Sequence, residues 1–352
     1  MRMVPMNLSR LRRPLAVTAA IALAGSLAAC GGAASSGTST DDGILDVSVS
    51  FYPIQYLVET IGGDAVNVTS VTPVNVEPHD FELSPADVAA LEKADLVAYA
   101  SGFQTSLDEA LAQIDGPTVL DISNAVDLVH HEGVEHDHEH EGVEHDHESE
   151  EAGHDHDHES EEAGHDRDHE SEEAGHDHDH ADGADPHFWL DPERMIAAAN
   201  AIEATLEKAD PDNAATYQAG LAELVTTLNG IDEDYTTGLG SCERTTFVTS
   251  HSAFGYLADR YGLTQVSVSG VDPEGEPSPA ELAAVKEVVQ ATGTTTIFTE
   301  ELVSPETAQA LADETGATTA VLSPMESQPE AGDYAAGMSA NLEALRTALA
   351  CK

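Results

Sequence analysis

Eight short runs rich in Val, Thr and Ile recur along the chain, separated for the most part by stretches whose apolar residues return at helical spacing. Four lie in the first half, at 45–51, 66–74, 96–101 and 117–122, and four in the second, at 245–250, 264–270, 294–300 and 318–323. Strand patterns that alternate with helical ones predict βαβ units, and hence two α/β lobes with mainly parallel sheets and flanking helices. Both halves also carry a helix-start signature, SPADVAALEKA from Ser84 and SPAELAAVKEV from Ser278. Ser is the N-cap, Pro the first helical residue, and Asp87 or Glu281 stands where its carboxylate reaches back to the cap. The likeness has two readings, common helix grammar or a duplicated domain.

Between the halves runs an Ala/Leu/Glu-rich stretch with apolar residues at helical spacing, divided by Pro211. Asp210 is placed to cap its second helix, which is expected to run to about Leu239. One long helix joins two lobes stiffly, unlike a Gly/Ser hinge. The predicted organisation is an N-terminal lobe over 44–210, a linking helix over 211–240 and a C-terminal lobe over 241–352.

The first residues follow another pattern. MRMVPMNLSRLRRP is basic, LAVTAAIALAGSLAA is a short apolar core, and the run closes in LAAC. A small-residue run ending on Cys30 resembles the bacterial lipobox, so residues 1–29 read as a signal peptide and Cys30 as the lipidated residue. A Gly/Ser/Thr-rich tether over 30–43 follows. Two cysteines remain, Cys242 and Cys351, and outside the cytoplasm a leftover pair predicts one disulfide.

Residues 130–180 fit neither lobe. They hold 15 of the 18 histidines, and 22 acidic residues against a single arginine, so they carry −21 of the net charge of −53. A segment without apolar periodicity buries no core and is expected to be disordered without metal. HDHEH from His136 formally matches a zinc-protease pattern, but that motif needs a stable helix, and Gly133, Gly142 and Gly153 interrupt the tract. Dense imidazoles and carboxylates predict several weakly held, fast-exchanging cations. The charge excludes nucleic acid and anionic membrane surfaces as partners and attracts cations.

Outside the tract stand three histidines: His79 in a loop after a strand, His187 in the Pro-bounded turn DPHFWLDP, and His251 directly after a strand. Ligands of α/β sheets gather at the carboxyl ends of strands. Glu326, in LSPMESQPE after the last strand, occupies the position corresponding to that of His251. Three imidazoles and one carboxylate suit tetrahedral Zn²⁺ and leave no open position for an activated water. Glu300, Glu301 and Glu77 compete with Glu326 for the fourth place.

The segments EPHDFELSPADVAALEKADL, DPHFWLDPERM, FVTSHSAFGYLADRYGL, EGEPSPAEL, IFTEELVSPETAQALA and LSPMESQPEAGDYAAGMSANLEAL resemble the zinc-binding solute-binding lipoproteins of metal ABC transporters, over roughly residues 44–352. That resemblance implies two α/β lobes bridged by a rigid helix, with the metal in the cleft between them. It carries the first three ligands onto His79, His187 and His251 and the fourth onto Glu326. Some members use an Asp where this chain has Ser323. Manganese relatives usually replace the third histidine with a carboxylate, so His251 favours zinc. The family also commonly carries a His/Asp/Glu-rich loop between its first two histidine ligands, where the tract falls.

The reading is thus a monomeric, extracytoplasmic Zn²⁺ receptor, not an enzyme. It is held to the outer face of the cell membrane by lipid alone, and it delivers one tightly bound ion to an ABC permease. The alternatives are a manganese or iron receptor, a zinc hydrolase, and a zinc buffer or adhesin acting through the tract alone.

Overall fold

The computed structural model describes residues 44–131 and 184–352. The predicted signal peptide, Cys30, the tether and the His-rich tract from Glu132 onward lie outside the described residues.

Each of the eight apolar runs holds a strand: β1 (Leu45–Val49), β2 (Val66–Ser70), β3 (Leu96–Tyr99), β4 (Thr118–Asp121), β5 (Thr246–Thr249), β6 (Thr264–Ser267), β7 (Thr296–Thr299) and β8 (Thr318–Val321). They form two fully parallel four-stranded sheets, in the orders β2-β1-β3-β4 and β6-β5-β7-β8. The strands are shorter than most of the runs because the last residues of a run leave the ladder to start a loop. Ser50, for example, accepts through its carbonyl from Thr72 beyond the end of β1.

The helices are α1 (Tyr52–Gly62), α2 (Pro85–Leu91), α3 (Thr105–Leu111), α4 (Pro192–Ala209), α5 (Ala214–Leu239), α6 (Gly255–Tyr261), α7 (Pro279–Thr292), α8 (Glu306–Thr315) and α9 (Tyr334–Leu349). The two SPA signatures start α2 and α7, each between the second and third strand of its sheet. Both capping boxes form: the Ser84 N–H donates to Asp87 at 2.8 Å and the Ser278 N–H to Glu281 at 2.5 Å, with the return bonds at 3.3 Å. The likeness of the halves therefore extends beyond helix grammar to strand order and direction.

The 26-residue helix α5 is about 39 Å long at 1.5 Å per residue. It packs on α1 and α4 of the first lobe and on α6 and α9 of the second. Its start differs from the sequence reading. A 3-10 turn, Pro211–Asn213, precedes it with Asp210 at its N-cap position, and the Asp210 carboxylate takes Asn213 Nδ2 at 2.6 Å and the Tyr217 hydroxyl at 2.8 Å. The proline at the head of the segment tightens the first turn, so the carboxylate braces side chains across it. Gly220 lets α1 approach closely, since a Cβ there would stand 2.5 Å from the Ile61 carbonyl. The Tyr235 hydroxyl donates to the Met338 carbonyl at 2.8 Å and ties α5 to α9.

One apolar cluster runs through both lobes and includes Val47, Phe51, Trp189, Tyr235, Phe247 and Leu345. An apolar interface of this continuity resists movement of one lobe against the other. The chain end is fastened to the exit of α5. Cys242 and Cys351 form a disulfide across a sequence separation of 109, and the Glu243 N–H donates to the Leu349 carbonyl at 3.1 Å beside it.

Closing a loop of that length stabilises by up to about 5 kcal/mol through chain entropy, less where native contacts already hold the ends. The double variant Cys242→Ser/Cys351→Ser is expected to unfold roughly 5–10 °C lower in calorimetry. Thiol labelling of the unreduced parent should find neither cysteine free.

Candidate metal centre

Four side chains from four separate segments meet in the interior. His79 lies in the irregular loop between β2 and α2, which is shaped around Glu77, whose carboxylate accepts from the backbone N–H of His79 and of Asp80, both at 3.2 Å. Gln104, itself buried, pins the loop by donating to the Pro78 carbonyl at 3.0 Å and to Thr72 Oγ1 at 2.8 Å. The ring of Phe103 packs edge-on against His79, 4.5 Å between centroids.

His187 precedes a 3-10 turn, Phe188–Leu190, whose three apolar side chains are wholly buried and so fix the position of the histidine. Its Nδ1–H donates to Asp185 Oδ1 at 2.7 Å, and its backbone N–H donates to the same oxygen at 2.9 Å. His251 directly follows the short loop residue after β5. Its Nδ1–H donates to Glu300 Oε2 at 2.5 Å and its backbone N–H to Glu300 Oε1 at 3.1 Å. In both rings a carboxylate claims Nδ1, so it is Nε2 that faces the cluster and can serve as the ligand atom once its proton is displaced.

Glu326 sits in the loop after β8. Asn341 holds that loop at Ser323 with bonds of 2.9 and 2.7 Å, and Trp189 Nε1 donates to the Pro324 carbonyl at 2.7 Å. Ser323 Oγ accepts from the Met325 N–H at 3.2 Å and helps shape the turn, while Met325 adopts a positive φ of 61°. Opposite, the Asn75 N–H donates to Ser327 Oγ at 2.8 Å, a link between the His79 loop and the Glu326 loop.

His79, His187, His251 and Glu326 each offer one ligand atom, and all four atoms lie within 4.8 Å of one another. Glu326 Oε1 is 3.4, 3.5 and 3.6 Å from Nε2 of His79, His187 and His251, and the Nε2 atoms of His79 and His187 are 3.2 Å apart. A tetrahedron with metal–ligand bonds of about 2.0–2.1 Å has edges of about 3.3–3.4 Å. These four separations bracket that value. His251 Nε2 and Glu326 Oε1 are also buried without a hydrogen-bond partner. A polar atom in that position is costly unless something else satisfies it, and a cation at the centre satisfies both.

Electrostatics point the same way. Burial by itself would lower the His251 imidazole, but Glu300 and Glu326 outweigh it and hold it up at about 10. His187 is likewise raised, its burial outweighed by Asp185 and Glu326. Burial would raise the Glu326 carboxyl, yet the surrounding imidazoles hold it well below the usual carboxylate range. Without a metal, protons on the imidazoles balance the buried carboxylates.

Glu300 and Glu77, two of the competitors for the fourth position, bind the backbone or the far nitrogen of a histidine in the cluster. Burial is the main cause that raises the Glu301 carboxyl, and Glu301 lines a cavity of about 400 Å³ with Glu326 and Glu330. Sequence reasoning overlooked Asp185 as a support. The spacing Asp-Pro-His, a carboxylate two residues before a histidine in a Pro-fixed turn, could have suggested it. Composition places His131 in the tract, but its ring packs on the folded body.

Residues 47–348 match the family described as zinc-uptake complex component A, periplasmic. The chain is 35% identical over 337 residues to the high-affinity zinc uptake system protein ZnuA of Bacillus subtilis, covering 93% of this chain and 94% of that one. It is 34% identical over 311 residues to the zinc-binding lipoprotein AdcA of Streptococcus pneumoniae, covering 87% of this chain. It spans about half, 56%, of the length of that and other AdcA proteins. Among solved structures, a Zn(II)-bound variant of AdcAII from Streptococcus pneumoniae superposes with a TM-score of 0.69 at 28% identity, covering 88% of this chain and 99% of that one. With a match across nearly all of its described body, the chain belongs to the zinc-uptake component A family.

Proposed function

We propose that this protein is an extracytoplasmic receptor that captures Zn²⁺ through His79, His187, His251 and Glu326 and passes it to an ABC permease for import. The observation that carries the reading is the four-atom cluster, all of it within 4.8 Å and with four of its six edges at 3.2–3.6 Å, together with two buried atoms that lack a hydrogen bond. Four protein ligands fill a tetrahedral ion and leave no position for an activated water, so the site binds without chemistry. The family is one of transport components and not of enzymes. Zinc is the cargo, and three nitrogen donors favour it over harder manganese.

The acidic cavity beside Glu326 is a suitable entrance for a cation. Lipidation at Cys30 rests on the LAAC run and on the relative named a lipoprotein. The protein would act as a monomer, with the lobes of the N- and C-terminal halves joined by α5. The His-rich tract is an accessory that gathers zinc weakly, because each ion bound there chooses among many equivalent imidazoles and carboxylates.

Alanine at His187 or His251 is expected to weaken zinc binding by at least about 100-fold, and Glu326→Ala by about tenfold, since water replaces an oxygen ligand more readily than a positioned nitrogen. Competition against a chelator measures both. A parent-like affinity for His251→Ala would exclude that residue as a ligand.

Deleting residues 132–183 should leave one tight ion and remove the weak ones, as counted by equilibrium dialysis. Loss of the tight ion from a folded deletion variant would make the tract the working site.

Zinc must also displace a proton from His251, whose imidazole is held up at about 10 in the metal-free cleft. At pH 7 that group is charged, so binding releases protons and apparent affinity falls as pH is lowered. Calorimetry in buffers of different ionisation enthalpy should register the release, and a buffer-independent heat would contradict it.

A further inference from the structure

His131 is the last described residue before the tract, and its ring turns back into the folded body. Its Nδ1 lies 2.6 Å from Asp185 Oδ2, and its Nε2 lies 3.0 Å from Asp259 Oδ2. Asp185 is only 2% exposed, and its other oxygen is the one that takes both N–H groups of His187. A continuous chain of side chains thus runs from the protein surface, where Asp259 is 72% exposed, to the metal cluster.

We propose that His131 is a positioning residue for the zinc centre, locking the Asp185 carboxylate from behind so that Asp185 holds His187 in its ligating orientation. The proposal rests on the zinc-site reading above.

A buried carboxylate needs partners on both oxygens, and here the two are served from opposite sides by two imidazoles. The carboxylate cannot turn without breaking one of them. Both ring nitrogens of His131 face carboxylates, which only accept, so both carry hydrogen and the ring is an imidazolium. Removing it strands one oxygen of a buried anion. The carboxyl is then free to turn toward another donor, and that rotation weakens its grip on Nδ1 of His187.

The surroundings of the ring are built to hold it. A Cβ on Gly255, at the start of α6, would stand 2.5 Å from His131 ring atoms and 2.9 Å from Asp185 Oδ2, so only glycine admits the ring there. Tyr256 packs edge-on against it at 4.5 Å. The Tyr256 hydroxyl donates to the Asp185 carbonyl at 2.7 Å and accepts from the Val129 N–H at 2.9 Å. The Asp185 N–H donates to the Val129 carbonyl at 2.9 Å. The two described stretches that flank the tract are therefore stitched together behind His187.

The test compares the full mature chain with His131→Ala and His131→Asn. Zinc affinity is read by competition with a chelator strong enough to empty weak sites, and Co²⁺ is used as a visible-absorption probe of ligand geometry. His131→Ala is expected to lose about tenfold in zinc affinity and to change the Co²⁺ absorption band. His131→Asn should recover most of that loss, because its amide N–H sits where Nδ1–H stood and still reaches Oδ2. Affinity within about twofold of the parent and an unchanged Co²⁺ spectrum in His131→Ala would overturn the proposal. It would also fall if both variants lost affinity equally, in step with a lower melting temperature of the metal-free protein, since that marks general structural support. A parent chain without any tight zinc would instead remove the zinc-site reading itself.

Discussion

A buried imidazole can serve an ion only if one nitrogen faces the ion and something holds the other. That requirement shapes the centre of this protein. Asp185 holds His187, and Glu300 holds His251, each through the ring Nδ1 and through the backbone N–H of the same histidine. The double attachment fixes both the ring and the peptide that carries it. The Nε2 atoms then converge on Glu326 Oε1, which lies 3.4–3.6 Å from each of the three. The carboxylates behind the histidines also matter to the charge balance. A dication held among these largely buried imidazoles would be unfavourable without compensating anions, and Glu326, Asp185 and Glu300 supply them.

Such a cluster survives only in a frame that denies it relaxation. Loose polar side chains would swing to water or to each other, and the atoms left buried would each cost about 1–3 kcal/mol. Here the frame is the shared apolar core together with α5, which contacts helices of both lobes. Trp189 joins the two requirements. Its ring belongs to the core, while its indole N–H holds the loop that carries Glu326. A site prepared in this way does not have to order its ligands when the ion arrives, so less of the binding energy is lost to entropy.

Parallel strands place their carboxyl ends along one edge of each sheet. His79, His251 and Glu326 all leave such edges, after β2, β5 and β8. Only His187 comes from outside the sheets, in a turn packed on the core just before α4. Chemistry and topology are therefore coupled: two similar sheets facing one cleft bring together loops that lie up to 247 residues apart in sequence, from His79 to Glu326.

Much of this was legible in the chain. Runs rich in Val, Thr and Ile mark strands even at the half-exposed edges of a sheet, as in β2, β4 and β8, so all eight are visible, and capping boxes are local enough to be read residue by residue. Three histidines standing outside a His-rich tract, beside strand ends and a Pro-bounded turn, marked the candidate ligands, and family resemblance strengthened them. The supports were less visible. Glu300 was weighed as a ligand, because sequence gives a carboxylate's neighbourhood but not the nitrogen it faces. His131 was grouped with the tract by composition, and Asp210 was given a cap that a 3-10 turn replaces. By itself the sequence determined the elements, their order and the residue types able to hold a soft cation, since these depend on periodicity and local hydrogen bonding. Only the tertiary structure decided that Glu300 stands behind His251 and that His131 reaches Asp185, because those pairs depend on contacts between segments about 50 residues apart, whose distance and direction no local pattern encodes.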